Sequence, residues 1–411
     1  MNARVNEFAK SVISQYNATN QPTAFWIFDI QAVENAVARW KKAMPSVRPC
    51  FAVKCNPFPQ LVKACGTLGC GYDCATLNEI KEVLKMGTPV EDIVFSQPYK
   101  PFNQLLEAYK LGVKNATVDS LEEVEKMVKY TPNMGILVRI NADDKSAGFS
   151  LGDKFGLHEE EIEPVIAKIK ELGGKMTGVH FHVGSDSHNA HAFHEALSKA
   201  RATVALGEKY GFAPRHIDIG GGFSQVAPFE EFGAVIEQSI KDLKFPEGTV
   251  FMAEPGRYMA SNSLHFVASL HGKRVRKING KDVREYTCGD GYHGSLAHCM
   301  LFRKEIECHS LTKSETGKMY PSIIYGPSCN GADRVASGDF PDMTIGEDWI
   351  IFPNIGAYSM SLATNFNGFE SRNHTVYQLD GTQLKAPIQI PVDIEKYGIP
   401  ALTGLPNQWS V

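Results

Sequence analysis

Short β-prone runs recur along the first 260 residues, at Cys50–Lys54, Cys70–Asp73, Ile93–Ser96, Ala116–Asp119, Ile136–Ile140, Gly178–His182, His216–Ile219 and Val250–Ala253. Between them lie stretches with helical spacing of apolar positions: Pro59–Leu68, Thr76–Lys85, Phe102–Leu111, Leu121–Lys129, Glu159–Leu172, Ala190–Tyr210 and Phe229–Asp242. Strands alternating with amphipathic helices predict a parallel sheet. Runs such as FAVK and GILVRI are apolar on consecutive positions, as in strands covered on both faces. Eight such repeats in about 220 residues fit a closed (β/α)8, TIM-like barrel better than an open sheet. After Met259 the texture changes to strand, polar turn, strand, as in SLHFVASLHGKRVRKINGKDVREYTCGD, with further strands expected at Ser322–Tyr325, Asp348–Phe352 and Thr375–Leu379. The expected architecture is α/β plus β. An N-terminal segment 1–30, with a helix and the strand Thr23–Phe28, joins the β domain; 31–260 form the barrel and 261–411 the C-terminal, mainly β domain.

Composition narrows the function. The 411 residues carry 42 Lys+Arg and 46 Asp+Glu, a net charge of −4, which argues against a dedicated nucleic-acid binder. No apolar run reaches the roughly 18 residues of a membrane span. Glu7 and Lys10 interrupt what would be the core of a secretory signal. Nine cysteines, an odd number without C-x2-C spacing, predict neither a disulfide framework nor a zinc site, and suit a reducing cytoplasm. His188, His191 and His194 share a helical face but read as a solvated helix start, so no metal site is expected.

In such a barrel the active site lies at the C-terminal ends of the strands. Those ends read Lys54, Asp73, Ser96, Asp119, Arg139, His182, Gly220–Gly221–Gly222 and Glu254, polar where the strand pattern calls for apolar. DIGGGF after the seventh strand and AEPGRY after the eighth place bare backbone, with Arg257, where barrels bind phosphate. Lys54 closes an apolar strand, where partial desolvation would free its amine as a nucleophile. A lysine nucleophile beside a phosphate cradle points to pyridoxal phosphate held as a Schiff base. Glu254 would then face the pyridine nitrogen and His182 the ring. His180 and His182 otherwise read as a half-buried strand, one turned inward and one outward.

FAVKCNP, GYDCATLNEI, GVHFHVGS, DIGGGF, AEPGRY, YGPSCNGAD and GAYSMSLATNFNGF together resemble the pyridoxal-phosphate-dependent ornithine/diaminopimelate/arginine decarboxylases, which share the alanine-racemase-type barrel. The resemblance runs from about Phe25 to Phe369. It implies Lys54 as the Schiff-base lysine, Glu254 on the pyridine nitrogen and His182 stacked on the ring. It implies Ser185, Gly220, Gly221, Gly222, Gly256, Arg257 and Tyr358 at the phosphate, with Asp73 and Arg139 below the cofactor. Cys329 matches the cysteine that reprotonates carbon after decarboxylation. It implies a head-to-tail homodimer with shared active sites, in which the Cys329 loop serves the partner's site. The expected activity is decarboxylation of L-ornithine to putrescine, a step of polyamine biosynthesis. The chain ends at Val411, so the degradation tail of longer animal relatives is not expected.

Two departures bear on the amino-acid substrate. The family's ornithine enzymes carry an aspartate after the reactive cysteine to grip the distal ammonium; here it is Asn330. A second acidic contact falls, without gaps, on Phe302, with Arg303 next. An ammonium without a charged partner is costly to bury. Asn330 offers an amide oxygen, and Phe302 or Phe366 an aromatic face. Lysine, arginine or a non-cationic amino acid therefore stand as alternative substrates, and a non-catalytic regulatory relative as the alternative outside enzymes.

Overall fold

The computed structural model describes residues 3–16, 19–142, 144–226, 228–298, 305–312, 317–380 and 389–390. The chain separates into two compact units. One comprises Asn35–Cys55 and Val62–Met259; the other comprises Met1–Glu34, Asn56–Leu61 and Ala260–Val411. In the second unit the first strand is β1 (Ala24–Asp29).

The first unit is a closed barrel of β2 (Val47–Ala52), β3 (Gly71–Cys74), β4 (Ile93–Phe95), β5 (Asn115–Val118), β6 (Gly135–Arg139), β7 (Lys175–His180), β8 (His216–Asp218) and β9 (Val250–Ala253). All neighbours are parallel, and β2 closes on β9 through Val47↔Phe251. The intervening helices fall where apolar spacing places them, from Pro59–Thr67 to Phe229–Asp242. Local chemistry fixes their starts. Thr76 caps Leu77–Lys85, accepting the Glu79 N–H while the Glu79 carboxylate reaches back. Six of the eight ladders end one or two residues before the expected strand end, so Lys54 sits on a short 3-10 turn (Val53–Cys55) and His182 lies beyond β7. Single bonds such as Ile140 N–H to His180 O (2.9 Å) taper the ladder toward the mouth.

Among the described residues, the second unit is a nine-stranded sheet. After β1 come β10 (Leu264–Ile278), β11 (Lys281–Cys288), β12 (His309–Ser310), β13 (Tyr320–Tyr325), β14 (Arg334–Phe340), β15 (Trp349–Phe352), β16 (Val376–Leu379) and β17 (Gln389–Ile390). The order is β14-β13-β11-β10-β1-β16-β17, with β15 on β10 and β12 on β15. β10 and β11 form a hairpin across the two-residue turn Asn279–Gly280. β1 completes the sheet from the N-terminus, antiparallel to β10 and parallel to β16, with all six residues buried. The N-terminal helix Ala3–Ile13 buries Val5, Phe8, Ala9 and Val12 against Phe25, Ile27, Trp349 and Tyr377. Asn56–Leu61 is an excursion that the strand–helix alternation does not announce. Asn56 Nδ2 donates to Gly356 O (2.7 Å), and Phe58 packs edge-on to Phe28 (5.3 Å).

Candidate active site

The C-terminal end of the barrel gathers a set of buried ionisable groups. Glu254 follows β9 directly. Its Oε1 accepts the Ser96 hydroxyl (2.6 Å), and its Oε2 lies 3.3 Å from His180 Nε2. Asp218 ends β8, and its Oδ1 accepts the Gly220 N–H (2.9 Å). Burial pushes the Asp218 carboxyl well up, and the Glu254 charge pushes it further. Burial acts on Glu254 in the same direction, but His180, Lys54 and the Ser96 hydroxyl outweigh it and hold Glu254 below the usual carboxylate range. Of the pair, Asp218 therefore holds the proton and Glu254 the charge. One ligand-type atom from each of His180, Asp218 and Glu254 falls within 4.8 Å of the others, a metal-type grouping the sequence did not suggest. Ser96 and Gly220 already engage its two carboxylates.

Lys54 forms an ion pair with Asp73, which ends one side of the same ring. The Asp73 side chain is fully buried, while 40% of the Lys54 side chain is exposed. Lys54 stands on a turn above the strand rather than in it, so its desolvation is partial. Burial raises the Asp73 pKa and Glu254 adds to this, with Lys54 opposing both. Arg139, buried at the end of β6, stacks on the Phe155 ring at 4.6 Å. Half-buried His182 accepts the Gly184 N–H on Nδ1 (3.1 Å). Burial first, then the Arg139 charge, lower its pKa to about 3, so the ring is neutral.

His180 corrects the alternation assumed for the two histidines. Spacing of two puts both on one face of a strand, and His180 is fully buried against Glu254. That spacing was the signal for His180. Asp218 lay in the same DIGGGF motif as the glycines, but its polarity was overshadowed by them.

The glycine loops stand close to this ring. A Cβ at Gly221 would sit 2.7 Å from His182 Nε2 and 3.0 Å from Glu254 O; one at Gly222 would sit 2.9 Å from Gly184 O. A Cβ at Gly256 would lie 2.9 Å from Cys55 Cβ. Beside them Arg257 Nε donates to Ser185 Oγ (3.0 Å). Side chains at these positions would fill the cradle. Asp73 Oδ1, His180 Nδ1 and Asp218 Oδ2 are buried without a hydrogen-bond partner among the described residues. A phosphorylated heteroaromatic group fits this combination: bare backbone and an arginine for the anion, a neutral imidazole, an ionised carboxylate and a lysine.

The remaining predicted residues belong to the second unit. Tyr358 takes φ +53, a left-handed conformation uncommon for a tyrosine. Exposed Cys329 donates its N–H to Asn367 Oδ1 (2.9 Å). Asp333 shapes this loop, accepting the N–H groups of Tyr292 (2.7 Å) and Ser328 (3.1 Å). The Asn330 amide oxygen, expected to be open to a ligand, already accepts the Ala332 N–H (3.0 Å), and its Nδ2 lies 2.8 Å from His293 Nε2. The His293 ring packs against Phe366, tilted by 41° with centroids 4.3 Å apart. Phe302 and Arg303 lie outside the described residues.

Fold and site together define a barrel protein that holds a phosphorylated cofactor beside a lysine. Residues 30–261 match the family described as pyridoxal-dependent decarboxylase, pyridoxal binding domain. The chain is 35% identical over 368 residues to ornithine decarboxylase 2 of Drosophila melanogaster, covering 88% of this chain and 93% of that one. The crystal structure of ornithine decarboxylase from Entamoeba histolytica is similar at 54% identity and TM-score 0.79, over 92% of this chain and 99% of that one. The Paramecium bursaria Chlorella virus arginine decarboxylase is similar at 31% identity and TM-score 0.86, over 91% of this chain and 100% of that one. The chain belongs to the pyridoxal-dependent decarboxylase family, and its cofactor is pyridoxal phosphate.

Proposed function

We propose that this protein decarboxylates L-ornithine to putrescine. The observation that carries the reading is the Lys54–Asp73 ion pair set in one ring with ionised Glu254 and the glycine loops. The 54% identity to an ornithine decarboxylase supports the substrate. When bound, pyridoxal phosphate supplies a conjugated ring that accepts the electron pair left by departing carbon dioxide.

Lys54 would hold the cofactor through its amine, and Asp73 holds that lysine at the mouth. Ser185, Gly220, Gly221, Gly222, Gly256, Arg257 and Tyr358 would hold the phosphate. Glu254, kept ionised by His180 and Ser96, would keep the ring nitrogen protonated. Neutral His182 would offer the cofactor ring a flat face without adding positive charge, and buried Arg139 would help hold the ring. Cys329 would deliver a proton to the substrate carbon. We assign Cys329 to the active site of the other subunit in a head-to-tail homodimer. Mixing Lys54→Ala and Cys329→Ala proteins, each inactive or slow alone, then restores activity; no recovery on mixing argues against shared sites.

Asn330 favours a second reading, arginine as substrate. The Asn330–His293 pair carries no carboxylate, so nothing in it singles out a compact ammonium over a delocalised guanidinium. Carbon dioxide release from ornithine, lysine, arginine, glutamate and diaminopimelate, with added pyridoxal phosphate, separates the readings. The highest kcat/KM is expected with ornithine. Release from arginine without release from ornithine overturns the assignment.

A further inference from the structure

The connection between the helix Pro59–Thr67 and β3 carries chemistry that decarboxylation does not use. The helix ends in a Schellman turn. Cys70 N–H donates to Cys65 O (3.0 Å), Gly69 N–H donates to Gly66 O (2.9 Å), and Gly69 takes φ +91. In this cap the residue after the left-handed glycine folds back on the residue five before it, an arrangement that often brings their side chains together. Here both are cysteines, both buried, and each acts on the other's thiol, lowering the Cys70 pKa and raising that of Cys65. The 3.0 Å backbone bond joins the two residues directly, and a disulfide needs about 4.4–6.8 Å between Cα atoms.

The surroundings make the pair unequal. Lys41 Nζ donates to Leu68 O (2.8 Å) and Arg48 Nε to Gly69 O (3.5 Å), so two cations grip the turn just before Cys70. The Cys65 thiol pulls the Cys70 thiol down; burial opposes this, and Lys41 and Arg48 reinforce it. Cys65 is pushed well up by Cys70 and by burial. Burial pushes Cys50, Cys74 and Cys288 well up too, and none of those has such a turn. A cleft of about 530 Å³, lined by Lys41, Arg48 and Gly69, opens beside the turn. It lies at the N-terminal end of the barrel, away from Lys54.

We infer that Cys65 and Cys70 form a redox-active dithiol that a peroxide converts to a disulfide. The Cys70 thiolate attacks one peroxide oxygen; an S–O bond forms, the O–O bond breaks, and the departing hydroxide takes up a proton. The Cys65 sulfur then attacks the Cys70 sulfur; the S–S bond forms, the S–O bond breaks, and the second oxygen leaves as water with the Cys65 proton. Two thiols give two electrons and two protons, and hydrogen peroxide becomes two waters.

The test treats the folded, full-length protein with hydrogen peroxide, quenches, denatures, alkylates the remaining thiols and maps them by mass spectrometry. Cys65 and Cys70 are expected to lose alkylation together, joined in one cross-linked peptide, and to regain it after dithiothreitol. Cys50, Cys74 and Cys288 stay alkylated throughout. In Cys65→Ser, Cys70 is captured by dimedone as its sulfenic acid instead of cross-linking. The inference is overturned if wild-type Cys65 and Cys70 both remain alkylated while exposed Cys329 is already oxidised, or if Cys70 is found joined to a different cysteine. The decisive readout is on the wild type, so it stands even where a variant folds poorly.

Discussion

Two lysines leave neighbouring parts of the same barrel and meet different fates. Lys100, in the loop after β4, is fully buried. Its Nζ donates to Thr117 O (2.7 Å), Gln97 O (3.0 Å) and Pro98 O (3.2 Å), and Glu123 Oε1 lies at 2.9 Å. Lys54, on the turn after β2, meets the buried Asp73 and keeps 40% of its side chain exposed. An ammonium has three protons to give. Lys100 has committed all of them to fixed acceptors and works as a structural pin. Lys54 is oriented by a carboxylate yet accessible from the mouth, which a nucleophile needs. Position relative to fixed acceptors, not residue type, separates a structural lysine from a reactive one.

The largest effect should come from Lys54→Ala. Carbon dioxide release is expected to fall at least about 10³-fold, equivalent to roughly 4 kcal/mol of barrier, with loss of the bound cofactor's visible absorbance. The loss in urea melts should be smaller than in Lys100→Met, because burial already raises the Asp73 pKa and the carboxyl can take up a proton once Lys54 is gone; retention of rate and absorbance removes the contrast altogether. Lys100→Met should do the reverse. Glu123 then stays buried beside Lys126 alone, and stability should drop by about 3 kcal/mol in urea melts while kcat is largely kept. If the two variants show the same mixture of effects, the distinction is wrong.

A smaller change is expected from Asp73→Asn, about tenfold in kcat/KM, because Lys54 stays at the mouth but loses its charged partner. The smallest is a pH effect at Lys100. Burial lowers its pKa from 10.5 to about 8, with Glu123 opposing. The unfolded chain therefore binds this proton where the folded chain has released it. Stability gains from this group as pH rises from about 8 to 10 and loses it as pH falls through the same window, by about 1 kcal/mol per pH unit. Wild type should show that slope in urea melts and Lys100→Met should lack it. Parallel profiles would show that Lys100 does not titrate there.

Lys54, Glu254 and the glycines were legible because each breaks a strong local pattern: a charge at the end of an apolar run, or three glycines where a helix should start. The helices were legible for the same reason, since their apolar spacing is local. Lys100 was not legible, because what defines it is a carbonyl at Thr117 on the next strand. His180 was misread by a rule of spacing that, applied correctly, places it beside His182. The state of Asp218 depends on Glu254, brought close by the meeting of two strands' ends, which no window of sequence contains. The Cys65–Cys70 pair was visible as two cysteines, but only the left-handed turn at Gly69 folds one over the other.

β1 imposes an order on synthesis. Its antiparallel partner, β10, begins at Leu264 and its parallel partner, β16, at Val376. At about 5–20 residues per second, β16 leaves the ribosome tens of seconds after AFWIFD. For that interval an apolar strand waits, with both edges unsatisfied until β10 is made and one edge open until β16 follows. Unpaired edges of this kind recruit other chains, so the nascent protein is most vulnerable at its earliest segment, long after that segment has emerged.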